Sequence, residues 1–492
     1  MRAAHLACAV AILVLAGWLR FADLGCPAFH FDESTGARMV GALLDQGEYK
    51  FDPQHFHGPT LAYAGAALAS LRGESGWHEL TAASLRAVSA LSGLLVVFLA
   101  LLAAPLVGRT ASLVAAALLA VSPFLVHTSR LFIHEPLFAL GLAGTGLAVA
   151  FWWQRPSVGL AAAVGVLVGL AAATRETFFI ALFGWVVAAV LLRIPPPMGW
   201  RATLRQAGLA AGLAAGVAFV FYSEFLGRPS GAWDFLSTYW SYATTPGHEK
   251  PAGYYAELFL WPERYGRLFW WSGGVVILGA LSFLLPESKA ARAARFLFVA
   301  ALAQAAVYSL IPYKVPWLMV VPWIQFVFAA GFSAAGWAVL PRWRLLAIAA
   351  ALALFIFDLR QSVTLVFRYP SDPRNPFAYV PTAPGVELWT TRCIEWLRAS
   401  GVAHENVAVV GPRYWPLPWY LRTLERVGYW NTLPPDAASM PLVIALPEAA
   451  EAATTALAKT HESVLEGLRT DTPVLVFFRH DVWESQTRGG RE

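Results

Sequence analysis

The feature that most constrains this chain is a succession of apolar runs, each about as long as a bilayer is thick. A hydrocarbon core of about 30 Å takes about 20 mostly apolar residues to cross as a helix, with a range near 17–25. Such runs fall at 6–19, 85–105, 110–127, 134–153, 157–173, 177–193, 206–223, 267–285, 296–312, 317–338 and 343–359. About eleven spans predict an all-α polytopic membrane domain over residues 1–360. Composition points the same way: 14% of residues are charged and 58% hydrophobic, where soluble domains carry about 25% charged residues. An ordinary cytosolic enzyme and a disordered chain are both excluded. The first run ends in Trp18-Leu19-Arg20-Phe21, a poor cleavage site, so it reads as an uncleaved helix.

Short basic loops set orientation. With the N-terminus on the cytoplasmic side, the inner loops carry Arg109, Arg155, Arg193–Arg205, Lys289–Arg295 and Arg342 with Arg344. The net charge of +5 is therefore a topology signal, and it does not imply nucleic acid. A long first loop (22–84), a second loop (224–266) and everything after Arg360 fall outside. Prolines from Pro370 to Pro384 mark a linker over 361–386. Residues 387–492 then read as a small extracytoplasmic α/β domain. Its expected elements are helices at 387–399 and 449–459 and strands at 407–410, 442–446 and 474–478. Three cysteines cannot make a disulfide framework, and a Cys26–Cys393 bridge is not expected.

Ionisable groups beside membrane helices are costly to desolvate, so they tend to mark polar cavities or substrate paths. Five groups stand out, all on the outer side by the loop parity. His30-Phe31-Asp32-Glu33 places two carboxylates at a loop-to-helix junction; they can do acid–base work, or Asp32 can cap a helix over Glu33–Leu44. His55-Phe56-His57-Gly58-Pro59 can contact phosphate oxygens or metal, or simply turn the chain, and no tetrahedral metal set is readable. His127, Arg130 and His134 have the i, i+3, i+7 spacing of one helical face, with Glu135 alongside; the alternative is an Arg reaching headgroups. Arg175 and Glu176 lie between two spans with almost no loop; on a helix they point apart, so they need not pair with each other. Tyr313 and Lys314 sit between two prolines at a helix corner, where the lysine can hold phosphate or anchor at the interface. A carboxylate base beside several cations suits attack on a carbon that bears a phosphate leaving group.

The order of these motifs resembles the GT-C glycosyltransferases. The segments that carry the resemblance are Phe29–Glu33, His57-Gly58-Pro59, Ser129–Glu135, Thr174–Thr177, Tyr313–Trp317 and Tyr414–Arg422. Within that superfamily the chain looks like the dolichyl-phosphate-mannose protein mannosyltransferase and aminoarabinose transferase group, in a prokaryotic flippase-activity-associated subgroup. The resemblance implies transfer of a sugar from a polyprenyl-phosphate donor to a glycan, lipid or protein acceptor on the outer face of the cytoplasmic membrane, with inversion. It implies Asp32 as general base, with Glu33 orienting acceptor or helix. It also implies substrate contacts from His57, Arg130, His134, Glu135, Arg175, Glu176, Tyr313 and Lys314. Related members often carry Lys-Pro-Pro where this chain has His57-Gly58-Pro59, so His57 would grip phosphate only when protonated, or bind an acceptor hydroxyl. No cofactor is expected, although a divalent cation fits the chemistry, and no metal ligands are assigned. The alternative is a non-catalytic lipid-glycan handler that assists a flippase. A secondary transporter is disfavoured because no repeat-related pair of interrupted helices is readable.

Overall fold

A computed structural model describes residues 2–49, 51–54, 57–241 and 247–488. His55 of the paired-histidine motif and residues 242–246 of the second outer loop lie outside the described residues. The chain divides into two compact units. One comprises residues 1–24, 47–68 and 83–369, and the other 25–46, 69–82 and 370–492. Two pieces of the expected first outer loop, 25–46 and 69–82, therefore group with the C-terminal residues instead of with the membrane domain.

The first unit is a helical bundle, and each expected span is helical. Among the described residues seven helices are long and apolar enough to cross a membrane: Ala3–Phe21, Ala82–Val107, His134–Gln154, Trp200–Tyr222, Lys289–Leu310, Pro316–Val339 and Arg344–Phe367. Four further spans are shorter apolar helices, Arg109–Val121, Val158–Ala172, Phe178–Leu191 and Gly273–Leu284. The Pro316–Val339 helix is the centre of the bundle, with 94% of its apolar window buried. Trp200–Tyr222 is the opposite case, apolar yet only 6% buried; such a surface is stable against lipid and unfavourable in water. The protein is thus a multi-pass membrane protein.

Small residues let these helices approach. A Cβ on Gly331 would sit 2.4 Å from the Ala115 Cα, and on Gly165 or Gly169 within 2.5–2.7 Å of backbone oxygens of Ala210 and Ala214. Gly165 and Gly169 are four apart on one face, the small-residue spacing that membrane helix pairs use.

Three boundaries differ from expectation. The 110–127 run is two helices, Arg109–Val121 and Pro123–Thr128, broken where Pro123 can start a helix but not continue one. The 267–285 run becomes helical only at Gly273, because β1 (Glu263–Tyr265) and β2 (Leu268–Trp270) pair as a small hairpin. The last helix runs to Phe367, past the expected linker start at 361. Its Ser362 hydroxyl donates to the Val121 carbonyl at 2.6 Å, and the first proline comes only at Pro370.

The second unit is built on a five-stranded sheet of β3 (Val407–Val410), β4 (Val427–Trp430), β5 (Leu442–Ala445), β6 (His461–Arg469) and β7 (Thr472–Arg479), in the order β4-β3-β5-β7-β6. β3 runs parallel to β4 and β5, and β7 runs antiparallel to β5 and β6. Helices Val386–Ala399 and Ala450–Leu457 fall where expected. β4 and β6 were not expected. β4 is four residues long and contains Gly428. β6 is an edge strand with charged Glu462, Glu466 and Arg469, which blunts its apolar signal. Among the described residues, no disulfide joins Cys8, Cys26 or Cys393. Helix Phe31–Gln46 and the turn Trp77–Glu79 belong to this unit, with Arg38 over the Trp77 ring and Trp77 edge-on to Trp419.

Candidate active site

In the first unit the charged residues gather where the helix Val158–Ala172 ends. A Cβ on Gly58 would lie 2.1 Å from the Ala173 oxygen, so only glycine allows this approach. Thr60 then donates its backbone N–H to Ala173 (3.4 Å) and its hydroxyl to that of Thr174 (2.7 Å). This docking brings the His57 Nδ1 to 3.1 Å from a Glu176 carboxylate oxygen. The His134 ring meets the His57 ring edge-on at 5.2 Å. Arg175 turns the other way and forms an ion pair with Glu135, with side chains only 6% and 5% exposed. Glu135 lies in the first turn of helix His134–Gln154, where a carboxylate suits the positive helix end. Arg175 and Glu176 therefore do point apart, each to its own partner.

The charges here are informative. Burial raises the Glu176 carboxyl, but His57 and then Arg175 outweigh it and hold it at about 2. As an ionised carboxylate it can only accept, so Nδ1 of His57 carries the proton and donates. The Nε atom of Arg175 has no hydrogen-bond partner among the described residues although the residue is buried. A buried guanidinium with a spare donor is suited to an anionic oxygen.

Lys314 is 1% exposed, which excludes an anchor in the headgroups. Its ammonium donates to the carbonyls of Lys250 (2.9 Å) and Ile311 (2.5 Å), leaving one of three protons. Around it the loop 248–250 pairs with the helix corner: Lys314 N–H donates to His248, Lys250 N–H to Pro312, and Glu249 bridges Tyr313. The Tyr255 hydroxyl donates to the Val315 carbonyl at 3.1 Å. Burial, with Tyr254 and Tyr308, pushes the Tyr255 phenol up while the nearby Arg175 charge pulls it down. Tyr255 thus packs against the Lys314 corner.

Arg130 departs from the sequence reading. The helix ends at Thr128 and resumes at His134, with turns between, so His127, Arg130 and His134 share no helical face. The buried Arg130 guanidinium donates to the carbonyls of Leu19, Arg20, Ala22 and Asp23 (2.7–3.3 Å), which closes the end of the first helix. These contacts commit it to the scaffold.

The Asp32–Glu33 pair lies in the second unit, in the first turn of helix Phe31–Gln46. The cap is His30, not Asp32. Ser34 N–H donates to the His30 carbonyl, Asp32 N–H to the His30 Nδ1 (3.2 Å), and the Glu33 carboxylate accepts from His30 N–H (2.9 Å). This is the reciprocal arrangement of a capping box with histidine in the serine position. Glu33 is fully buried and Asp32 is half-buried. Of the two, Asp32 is the more exposed. Among the described residues, no group of three His, Cys, Asp or Glu is placed to hold a metal ion.

The aromatic segment Tyr414–Arg422 packs within the second unit. Trp419 and Tyr420 are buried, and they hold the segment ahead of Asp32. Phe29 stacks on Trp419 at 4.0 Å, its N–H donates to the Tyr420 hydroxyl at 2.6 Å, and its carbonyl accepts from Thr382 at 2.9 Å. Arg422 covers the Trp419 ring at 3.9 Å and donates to the Leu80 carbonyl. These partners lie 353 to 391 residues from Phe29 in sequence, beyond the reach of local patterning.

Residues 56–224 match the family described as dolichyl-phosphate-mannose-protein mannosyltransferase. No curated protein matches the sequence. In fold the chain is similar to ArnT from Cupriavidus metallidurans in the apo state, at TM-score 0.68 and 13% identity over 95% of this chain and 97% of that one. It is also similar to the same enzyme bound to undecaprenyl phosphate (TM-score 0.59, 15% identity, 96% and 97% covered). A third similar structure is the Archaeoglobus fulgidus oligosaccharyltransferase in complex with zinc and sulfate (TM-score 0.55, 13% identity, 97% and 76% covered). The chain therefore has an ArnT-like fold.

Proposed function

We propose that this protein transfers a sugar from a polyprenyl-phosphate donor, of the undecaprenyl phosphate kind, to an acceptor hydroxyl at the outer face of the cytoplasmic membrane. Asp32 takes the hydroxyl proton. The acceptor oxygen attacks the anomeric carbon in line, the bond from that carbon to the phosphate oxygen breaks, and the phosphate leaves with the electron pair, inverting the centre. Arg175 and the remaining proton of Lys314 meet the negative charge that develops on the leaving phosphate. His57, held by its carboxylate partner Glu176, binds a phosphate oxygen or an acceptor hydroxyl. Glu33 holds the helix on which Asp32 sits, and Arg130 belongs to the scaffold. The observation that carries this reading is the buried Arg175, with an unpartnered Nε, inside the region that matches the mannosyltransferase family.

Mass spectrometry of lipids that co-purify with the wild-type protein and with Asp32→Asn tests it. Polyprenyl phosphate is expected in both, with the sugar-bearing form enriched in Asp32→Asn because discharge is blocked. Absence of any polyprenyl phosphate lipid from both preparations would remove the donor assignment. Treatment with a chelator is expected to leave transfer intact; loss of transfer restored by a divalent cation would add a metal to the scheme.

A further inference from the structure

Asp32 is held by a histidine whose protonation pattern the geometry fixes. The Asp32 backbone N–H points at Nδ1 of His30 (3.2 Å), so Nδ1 is an acceptor and carries no proton. The proton of the neutral ring is then on Nε2, which lies 2.9 Å from the Tyr379 carbonyl and donates to it. His30 is 6% exposed. One ring thus connects the base's own amide to a backbone group of the proline-rich segment, 349 residues away in sequence. The residue before it is held as closely. Both backbone polar groups of Phe29 are taken by C-terminal side chains, the N–H by Tyr420 and the carbonyl by Thr382.

A helix start needs only a cap, and Ser, Asn or Asp would provide one. Those side chains are too short to accept from the second helical N–H and also donate to a carbonyl beyond the helix. Imidazole has two nitrogens on opposite sides of a rigid ring, and here each has a different partner. The surroundings are also ordered for direction: Phe31 tilts against the His30 ring at 4.4 Å, and Glu33 fixes the His30 backbone.

We propose that His30 is a positioning residue for the proposed transfer: as the Nε2–H tautomer it ties the Asp32 amide to Tyr379 and fixes where the Asp32 carboxylate points, with Tyr420 and Thr382 holding the segment that leads into it. This rests on the reading of Asp32 as the base. The C-terminal residues are then part of the catalytic apparatus through alignment, without touching the reacting atoms.

The test measures release of polyprenyl phosphate from a lipid extract of the host membranes, which reads the leaving group whatever the sugar. The full-length protein is compared with His30→Leu, His30→Gln, Tyr420→Phe and Asp32→Asn. A misplacement near 1 Å costs about 100-fold in rate. His30→Leu, which removes both contacts, is therefore expected to lose kcat on that scale with KM within about twofold of wild type. Glutamine has an acceptor and a donor on one planar group and is expected to recover most of the loss. Tyr420→Phe keeps the ring and removes the oxygen that Phe29 N–H reaches; it is expected to lower kcat without changing KM, and it serves if His30→Leu fails to fold. If Asp32→Asn is inactive while both His30→Leu and Tyr420→Phe keep wild-type kcat, the positioning role is overturned and the base assignment stands. An equal loss in His30→Gln and His30→Leu also overturns it. Wild-type turnover by Asp32→Asn would instead sink the base assignment on which the inference rests.

Discussion

Replacing Glu135 by Gln should separate the cost of a buried charge from its use. Arg175 and Glu135 are each about 5% exposed, so neither is stabilised by bulk water. Two unit charges about 4 Å apart at an effective dielectric near 20 attract by about 4 kcal/mol. Removing one partner of such a pair costs about 3–5 kcal/mol, because the remaining charge stays buried. Glu135→Gln should therefore lower the thermal stability of the ligand-free protein in detergent by that amount. Leu at 135 combined with Met at 175 removes both charges and should restore much of it. The proposed function adds a sharper expectation. If Arg175 receives phosphate, undecaprenyl phosphate supplies the anion that Glu135→Gln lacks. The lipid should then raise the melting temperature of Glu135→Gln by more than that of wild type, and have little effect on the double variant. The assay is a thermal unfolding series at fixed detergent with increasing undecaprenyl phosphate. A lipid-induced shift in Glu135→Gln equal to or below that of wild type would refute the phosphate role of Arg175. An unchanged ligand-free melting temperature would refute the buried-pair argument itself.

Three further outcomes follow from the same contacts. The Glu176 carboxyl is held at about 2 in the folded protein, below the ordinary 4.5. It therefore contributes stability above pH 4.5 that is lost as pH falls toward 2, by up to about 3 kcal/mol; melting curves of Glu176→Gln should lack that part of the acid dependence. Arg130→Met removes charge-assisted bonds to four carbonyls and should cost about 2–4 kcal/mol, while binding of undecaprenyl phosphate to the folded protein stays within about twofold. Gly58→Ala must displace the Ala173 carbonyl 2.1 Å away, which shifts His57 from Glu176; lipid binding should weaken more than the melting temperature falls.

The spans were legible because lipid imposes a length and a hydropathy that few other structures need. Val158–Ala172 and Phe178–Leu191 stood out as runs although each helix is short. The residues of the candidate site were legible as types, since Arg175, Glu176, Glu135 and Lys314 are charges in an apolar chain. Their partners were not. Arg175 meets Glu135 and Glu176 meets His57 across separations of 40 and more residues, and no local period reports such contacts. Arg130 is the instructive failure: the i, i+3, i+7 spacing suggested a shared face, but the turn at 129–133 removes the helix on which that inference depends. His30 was overshadowed by Asp32 as a cap, because aspartate is the commoner residue there. The strands β4 and β6 escaped because one is short with a glycine and the other is a charged edge.

In the proposed transfer Asp32 removes a proton while a polyprenyl phosphate departs. Single-turnover release of polyprenyl phosphate, measured side by side for wild type and Asp32→Asn at equal lipid occupancy, tests it most directly. Rapid release by wild type and a loss of about 100-fold or more in Asp32→Asn are expected, the scale of general-base catalysis, with lipid binding preserved. Equal release rates in the two proteins would contradict it.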